Sequence, residues 1–289
     1  MPSPRYPSPF VGLLTALLVS LAGSPLWAQN ELMLHDTIVD EQYYKQRGEW
    51  FRVRPTGLAI GSMRDRALSP LLYTGLGIGW GHNTYKFKPR TLVHRHWQFN
   101  STTFTNEQSE SLLAQLGVEH QHALHYPITL ANDNVKLYVG GFAGGLFNLK
   151  THPGNVNNVL SYELAVLLGP SAIVQFPLTV FGKAFVLSDE LRLPLLSLLG
   201  NTPYAWSLPT TFEEGGRLGD AFTVGSWGKL FRVSNQVNVD FHRNVRRRRK
   251  VVKRLAYRVS YRWELVSVAQ PNLYQSGTHT LSIARIIAL

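Results

Sequence analysis

The sequence predicts an all-β fold: a single transmembrane antiparallel up-and-down β-barrel of about ten strands, behind an N-terminal signal peptide. Three observations carry this. Segment after segment alternates apolar and polar residues with period two, the mark of a strand with two different faces. Past the first 28 residues no stretch holds 18 consecutive apolar residues, so no helix is long and apolar enough to cross a bilayer. The faces opposite the large apolar side chains carry Gly, Ser, Asn, Gln, His and charges of both signs, too polar a mixture for the filling of a soluble barrel.

The chain starts with one basic residue, Arg5, then an apolar run from Phe10 to Ala22, then Gly23, Ser24 and Pro25. That is the layout of a secretory signal, and the run is too short for the roughly 20 residues of a spanning helix. Cleavage is expected after Ala28, giving a signal peptide over 1–28, a polar N-terminal extension over 29–49 and the barrel over 50–289. The 289 residues hold 29 Lys+Arg against 18 Asp+Glu and no cysteine, which excludes disulfides, a thiolate nucleophile, Cys-ligated zinc and a lipidated Cys anchor.

Ten strands are expected. Phe51–Ser62 opens the barrel. In Leu71–His82, Leu72, Leu76, Ile78 and Trp80 share one face, and Gly75, Gly77, Gly79 and Gly81 the other. Thr91–Thr102 sets Val93, Trp97 and Phe99 against His94, His96, Gln98 and Asn100. Ser111–Tyr126 sets Leu112, Leu116 and Val118 against Gln115, Gly117, Glu119 and Gln121. Val135–Asn148 is glycine-rich, and Val159–Phe176 sets Leu160, Tyr162, Leu164, Val166 and Leu168 against Ser161 and Glu163. Thr179–Leu196 is the least regular. Ala221–Phe241 alternates Phe231, Val233, Val237, Val239 and Phe241 with Arg232, Ser234, Gln236, Asn238 and Asp240. In Leu255–Val268, Tyr257, Val259, Tyr261, Trp263 and Leu265 oppose Arg258, Arg262 and Glu264. Thr278–Leu289 closes the ring against the first strand. Splitting the eighth strand near Gly228–Lys229 would give twelve.

A sheet crosses lipid only if it closes, because lipid offers no partner to an open edge. An even count places both termini on one side, the periplasm in bacterial barrels. Four connections then fall there (His82–Arg90, Pro127–Asn134, Pro177–Leu178 and His242–Lys253). Five fall outside, and Ser197–Asp220 is much the longest of these. A secreted β-sandwich or lipocalin-like barrel is the alternative, with apolar side chains inside instead of outside.

The phrases "DAFTVGSWGKLFRVSNQVNVDF" (Asp220–Phe241), "YRVSYRWE", "RDRALSPLLYTGLGIGWGH" (Arg64–His82) and "LPLLSLLG" (Leu193–Gly200) resemble an outer-membrane β-barrel family of unknown function from the Bacteroidota. The similarity spans roughly Phe51 to Leu289. The region after Leu196 departs from the family's tyrosine-rich phrase, and the last residue is Leu in place of an aromatic. The resemblance implies a fold and a location, and no catalytic residues.

The polar lumen network is expected from His94, His96, Glu119, Glu163, Lys183, Arg232, Asp240, Arg258, Arg262 and Glu264, with Lys136 and Asp189 beside them. Both charge signs are present, as buried ions require. This favours a plug of ion pairs over a narrow pore. Of the histidines at 94, 96, 120, 122 and 125, the first two lie on an inner face and His120 and His122 on an outer one, so they cannot form one metal site; no metal and no cofactor is expected. No His precedes a Ser at the spacing of known barrel lipid hydrolases, and Glu213, Glu214 and Asp220 in the long loop read as solvated. The chain therefore reads as leaning away from an enzyme.

"HRNVRRRRKVVKR" (His242–Arg254) carries Arg243, Arg246, Arg247, Arg248, Arg249, Lys250, Lys253 and Arg254. Between two barrel strands this is a turn at anionic headgroups, where each basic residue adds about 1 kcal/mol; nucleic acid is not an expected partner. The expected partners are outer-membrane lipid, lipopolysaccharide if the turn faces outward, and the barrel-assembly machinery. The expected role is a structural or surface-binding barrel with a plugged polar lumen, the long loop being its recognition element. The alternatives are a lipid-modifying hydrolase and a narrow channel.

Overall fold

The computed structural model describes residues 50–289 except 67, 89, 107–110, 131–134, 155–158, 182, 202–221, 248–249, 270–272 and 289. The expected signal peptide, the N-terminal extension and most of the long loop lie outside the described residues.

The strands are β1 (Trp50–Asp65), β2 (Ser69–Lys88), β3 (Thr91–Asn106), β4 (Ser111–Ile128), β5 (Lys136–Thr151), β6 (Leu160–Val180), β7 (Lys183–Arg192), β8 (Leu196–Asn201), β9 (Phe222–Gly225), β10 (Leu230–Arg247), β11 (Lys250–Val268) and β12 (Tyr274–Ala288). All pairings are antiparallel. Neighbours in sequence pair from β1 to β7, β7 pairs with β10, and β10, β11, β12 and β1 follow in turn. That ring is closed and has ten members.

The remaining two strands continue members of the ring. β8 prolongs β7 along the same edge of β6, and β9 pairs with β8 above β10. The β7–β8 break falls at Leu193–Pro194–Leu195. Leu193 and Leu195 still donate backbone bonds to β6, while Pro194 has no N–H to give on the other side. There the chain between β9 and β10 loops out over Ser226–Lys229, and the Trp227 indole N–H donates to the Pro194 carbonyl at 2.7 Å. The expected continuous strand Ala221–Phe241 is therefore broken near Gly228–Lys229, as in the twelve-strand alternative, but the break adds no member to the ring.

Stepping sideways from Asp189, the row of partners runs through Val237, Tyr261, Leu281, Leu58, Ile78, Ser101, Leu116 and Leu149 to Tyr162 of β6. Asp189 itself pairs with Val174 of β6, twelve residues from Tyr162. Ten strands with that stagger tilt about 40° and enclose a radius of about 10 Å, a space that side chains fill.

Alternation sends large apolar residues outward. Leu58, Leu76 and Ile78 are 70%, 69% and 63% exposed. Their strand neighbours point in, and these include Gly57, Gly77, Gly79 and Ala59. Several connections are shorter than expected, because the ladders run on through polar residues. β2 continues to Lys88, β6 to Val180, and β10 and β11 pair as far as Arg247↔Lys250. The basic segment is therefore paired strand as far as Arg247↔Lys250, in place of a long turn. It lies at the end where β1 begins and β12 ends, here called the terminal end.

Candidate functional site

The lumen is filled in three tiers. At the terminal end Phe51, Val53, Tyr85, Phe87, Leu92, Tyr138, Ile173 and Ile286 form an apolar cluster. Phe51 stacks on Tyr85 and Phe87, and Tyr85 stacks on His94 with centroids 4.1 Å apart. Toward the opposite end Met63, Leu68, Tyr73, Phe104, Leu113, Leu167, Leu199, Val268 and Tyr274 form a second. The ionic tier lies between them and reaches up into the second cluster.

Its centre is a four-membered ring. Arg232 Nη2 lies 2.9 Å from both Glu119 Oε1 and Glu264 Oε1. Arg262 Nη2 lies 2.8 Å from Glu119 Oε2 and 2.6 Å from Glu264 Oε2. Each guanidinium thus bridges both carboxylates, the charge-assisted geometry that offsets desolvation. Arg262 also donates to Gln98, and its Nη1 sits 3.2 Å from His96 Nε2. Arg258 holds Asp240 with two bonds, Nε–Oδ1 at 2.6 Å and Nη2–Oδ2 at 2.7 Å, and donates to the Tyr85 hydroxyl.

Glu190 is held by Arg192 at 2.6 Å and by His94 Nδ1 at 3.1 Å, and Arg192 also donates to Gln121. Lys150 meets Asp65 at 2.8 Å and Glu163 at 3.7 Å, with its ammonium 3.6 Å from the Tyr274 ring centroid.

The structure therefore places His94, His96, Glu119, Glu163, Arg232, Asp240, Arg258, Arg262 and Glu264 inside the barrel, in these clusters. Lys183 is not among them. It stands exposed beside the β6–β7 hairpin, because the inward parity of β7 belongs to Val186, Ser188, Glu190 and Arg192. Asp189 faces out for the same reason and accepts a bond from Asn235. Glu190, Arg192, Lys150, Asp65 and Tyr85 complete the network and were not singled out from sequence. In β7 both parities mix polar with apolar residues, so alternation does not choose between them; the adjacent-but-one Glu190 and Arg192 are the signal that could have. The side chains of the basic segment, residues 243–254, lie outside the described residues.

Two cavities of about 70 and about 30 Å³ flank Arg262, which with Gln98 and Thr280 lines both and separates them. Each has room for water and little more. Among the described residues two hydroxyl–imidazole contacts lie inside the barrel, and a third, Tyr261 with His279 Nδ1 at 2.7 Å, lies on its outer wall. Ser171 Oγ is 2.8 Å from His125 Nε2, and the Tyr73 hydroxyl lies 2.8 Å from His152 Nε2 and 3.0 Å from Ser111 Oγ. In both inner imidazoles Nδ1 has no hydrogen-bond partner among the described residues, so neither set has the acid that orients a catalytic histidine. His120 and His122 point outward, with His120 stacked on Trp97. Among the described residues no three His, Asp or Glu side chains are grouped so as to hold a metal ion.

No protein-family model matches the chain, and no curated protein matches it. The family resembled over Phe51–Leu289 thus gains no support from either comparison. Among solved structures, the chain is similar to the translocator domain of the autotransporter NalP from Neisseria meningitidis at 10% identity and a TM-score of 0.41, covering 96% of this chain and 95% of that one. It is similar to the transport unit of the autotransporter AIDA-I from Escherichia coli at 9% identity and a TM-score of 0.31, covering 94% and 97%. A FadL homologue from Pseudomonas aeruginosa shares 7% identity at a TM-score of 0.24, covering 92% and 96%.

Proposed function

We propose that this chain is an outer-membrane β-barrel of a Gram-negative bacterium, with its terminal end in the periplasm, acting as a structural or surface-binding barrel with a closed lumen. The observation that carries the reading is an inversion. The wall exposes Leu, Ile, Val, Trp and Phe on every long strand, while charged side chains are buried inside. In water that arrangement would expose a continuous apolar surface many times larger than soluble monomers tolerate. In lipid it is the low-energy arrangement. The apolar tiers at both ends and the small cavities between them support a plug in preference to a channel, and the uncommitted imidazole Nδ1 atoms give a hydrolase no triad.

The test is insertion. Refolded protein should enter phosphatidylcholine vesicles, resist extraction by carbonate, and run faster in SDS unheated than boiled. A protein that stays in the aqueous phase and shows one band under both conditions is no membrane barrel.

A further inference from the structure

Outward-facing cations crowd one patch of the wall. On β1 the outward residues, read from the terminal end, are Arg52, Arg54, Thr56, Leu58 and Ile60; on β12 they are Arg285, Ile283 and Leu281. β2 contributes Lys86 and β3 contributes Arg95. These are four adjacent strands of the ring. Arg54 and Arg285 stand directly opposite each other in the β1–β12 ladder. Arg52 and Arg95 flank Thr84 from the two sides of β2. Lys86 and Arg95 both lie over the Trp50 ring, at 5.1 and 4.9 Å from its centroid. Among the described residues no carboxylate pairs with any of the five.

Like charges directly opposed across a ladder destabilise it. The lumen pairs nearly every ion it holds, yet this patch pairs none. No described residue supplies the counter-charge, which leaves the cations open to an anionic ligand. Two to six residues further along each strand, past the outward Thr56, Thr84 and His82, the surface turns apolar, through Leu58, Ile78, Trp80, Phe99 and Ile283. A ligand here meets cations at one level and hydrocarbon at the next. That border is the profile of a lipid whose phosphate lies at the headgroup level and whose chains lie along the wall.

We propose that Arg52, Arg54, Lys86, Arg95 and Arg285 form a binding site for an anionic glycerophospholipid of the leaflet at the terminal end. The phosphate sits between Arg54 and Arg285, with Trp50, Lys86 and Arg95 on its headgroup side and Ile283 and Leu58 along the chains. This rests on the membrane-barrel reading. It adds the lipid class, the leaflet and the residues.

The experiment is native mass spectrometry of the full chain in micelles titrated with phosphatidylglycerol or phosphatidylcholine, for the wild type and for Arg54→Gln/Arg285→Gln. The wild type is expected to retain phosphatidylglycerol at concentrations at least tenfold below those needed for phosphatidylcholine. The double variant is expected to lose that preference while keeping its heat-modifiable mobility, since removing two opposed like charges does not weaken the ladder. Equal retention of the two lipids by the wild type, or an undiminished preference in the variant, overturns the site. Tighter retention of lipid A than of phosphatidylglycerol through the same arginines overturns the leaflet. Should the Gln variant lose its heat-modifiable mobility, Arg54→Glu, which creates an ion pair with Arg285, carries the test, with the same loss expected. A wild type that never inserts into bilayers sinks the barrel reading and this site with it; one that inserts without lipid preference sinks only the site.

Discussion

Arg258 and Asp240 show how single residues are held in this wall. They face each other in the β10–β11 ladder, both buried, joined by two bonds and roofed by the Tyr85 hydroxyl. Removing one partner strands a buried charge, which costs about 3–5 kcal/mol, whereas removing both leaves a void but no orphan ion. Arg258→Met should therefore lower unfolding free energy in urea by about that amount, and Arg258→Met/Asp240→Leu should recover most of it. Equal losses in the single and double variants would show that the pair is uncoupled. The pair was legible in the sequence, because Arg258 and Asp240 sit on the polar face of two strongly alternating strands. Glu190 and Arg192 were not, because β7 alternates weakly. A one-residue choice of parity there exchanges the whole inner set for the outer, and this put Lys183 and Asp189 on the wrong side.

At the scale of the strand, β2 is the clearest case. Its inward glycines are filled by neighbours. A Cβ on Gly77 would lie 2.4 Å from Thr102 Oγ1 and 2.6 Å from the Ser101 carbonyl oxygen, while one on Gly145 of β5 would meet nothing nearer than the Ala165 carbonyl at 3.7 Å. Gly77→Val should cost about 1–3 kcal/mol or block refolding, by overpacking against backbone. Gly145→Ala should change stability by no more than about 0.5 kcal/mol. Parallel urea titrations of the refolded proteins compare them, and equal behaviour would mean that the inner face yields. The glycine stripe was visible as a period-two pattern, but its reason was not. The space belongs to Thr102, Asn100 and Pro55, side chains from β3 and β1 that only the register brings there. Several strands extend beyond their expected bounds, since polar residues beyond the apolar band look like turns and are in fact paired strand, as in Arg243–Arg247.

At the scale of the whole molecule, ten strands and a twelve-residue stagger make a cylinder that its own side chains close. Phe51 stacks on Tyr85 and Phe87 in the buried cluster at the terminal end, and Tyr73, Phe104 and Leu113 are buried together toward the other. Planar bilayers containing the folded protein should show no single-channel steps at 100 mV in 1 M KCl, conditions set by the assay. Arg262→Ala alone should not open a path, because it joins two water-sized cavities without breaching either apolar tier. Steady unitary currents from the wild type would refute the closed lumen.

By itself the sequence determined what alternation can encode: that the chain is all strand, that its large apolar residues share one face, and that buried ions line the other. Period two needs no partner to be read. The tertiary structure decided the rest. It chose the parity of β7 and joined β7 to β10 with β8 and β9 as their continuations. It also brought Arg232 to Glu119 and Arg54 to Arg285 across strands far apart in sequence. Those pairings depend on closure and stagger, quantities that belong to the ring and to no single strand.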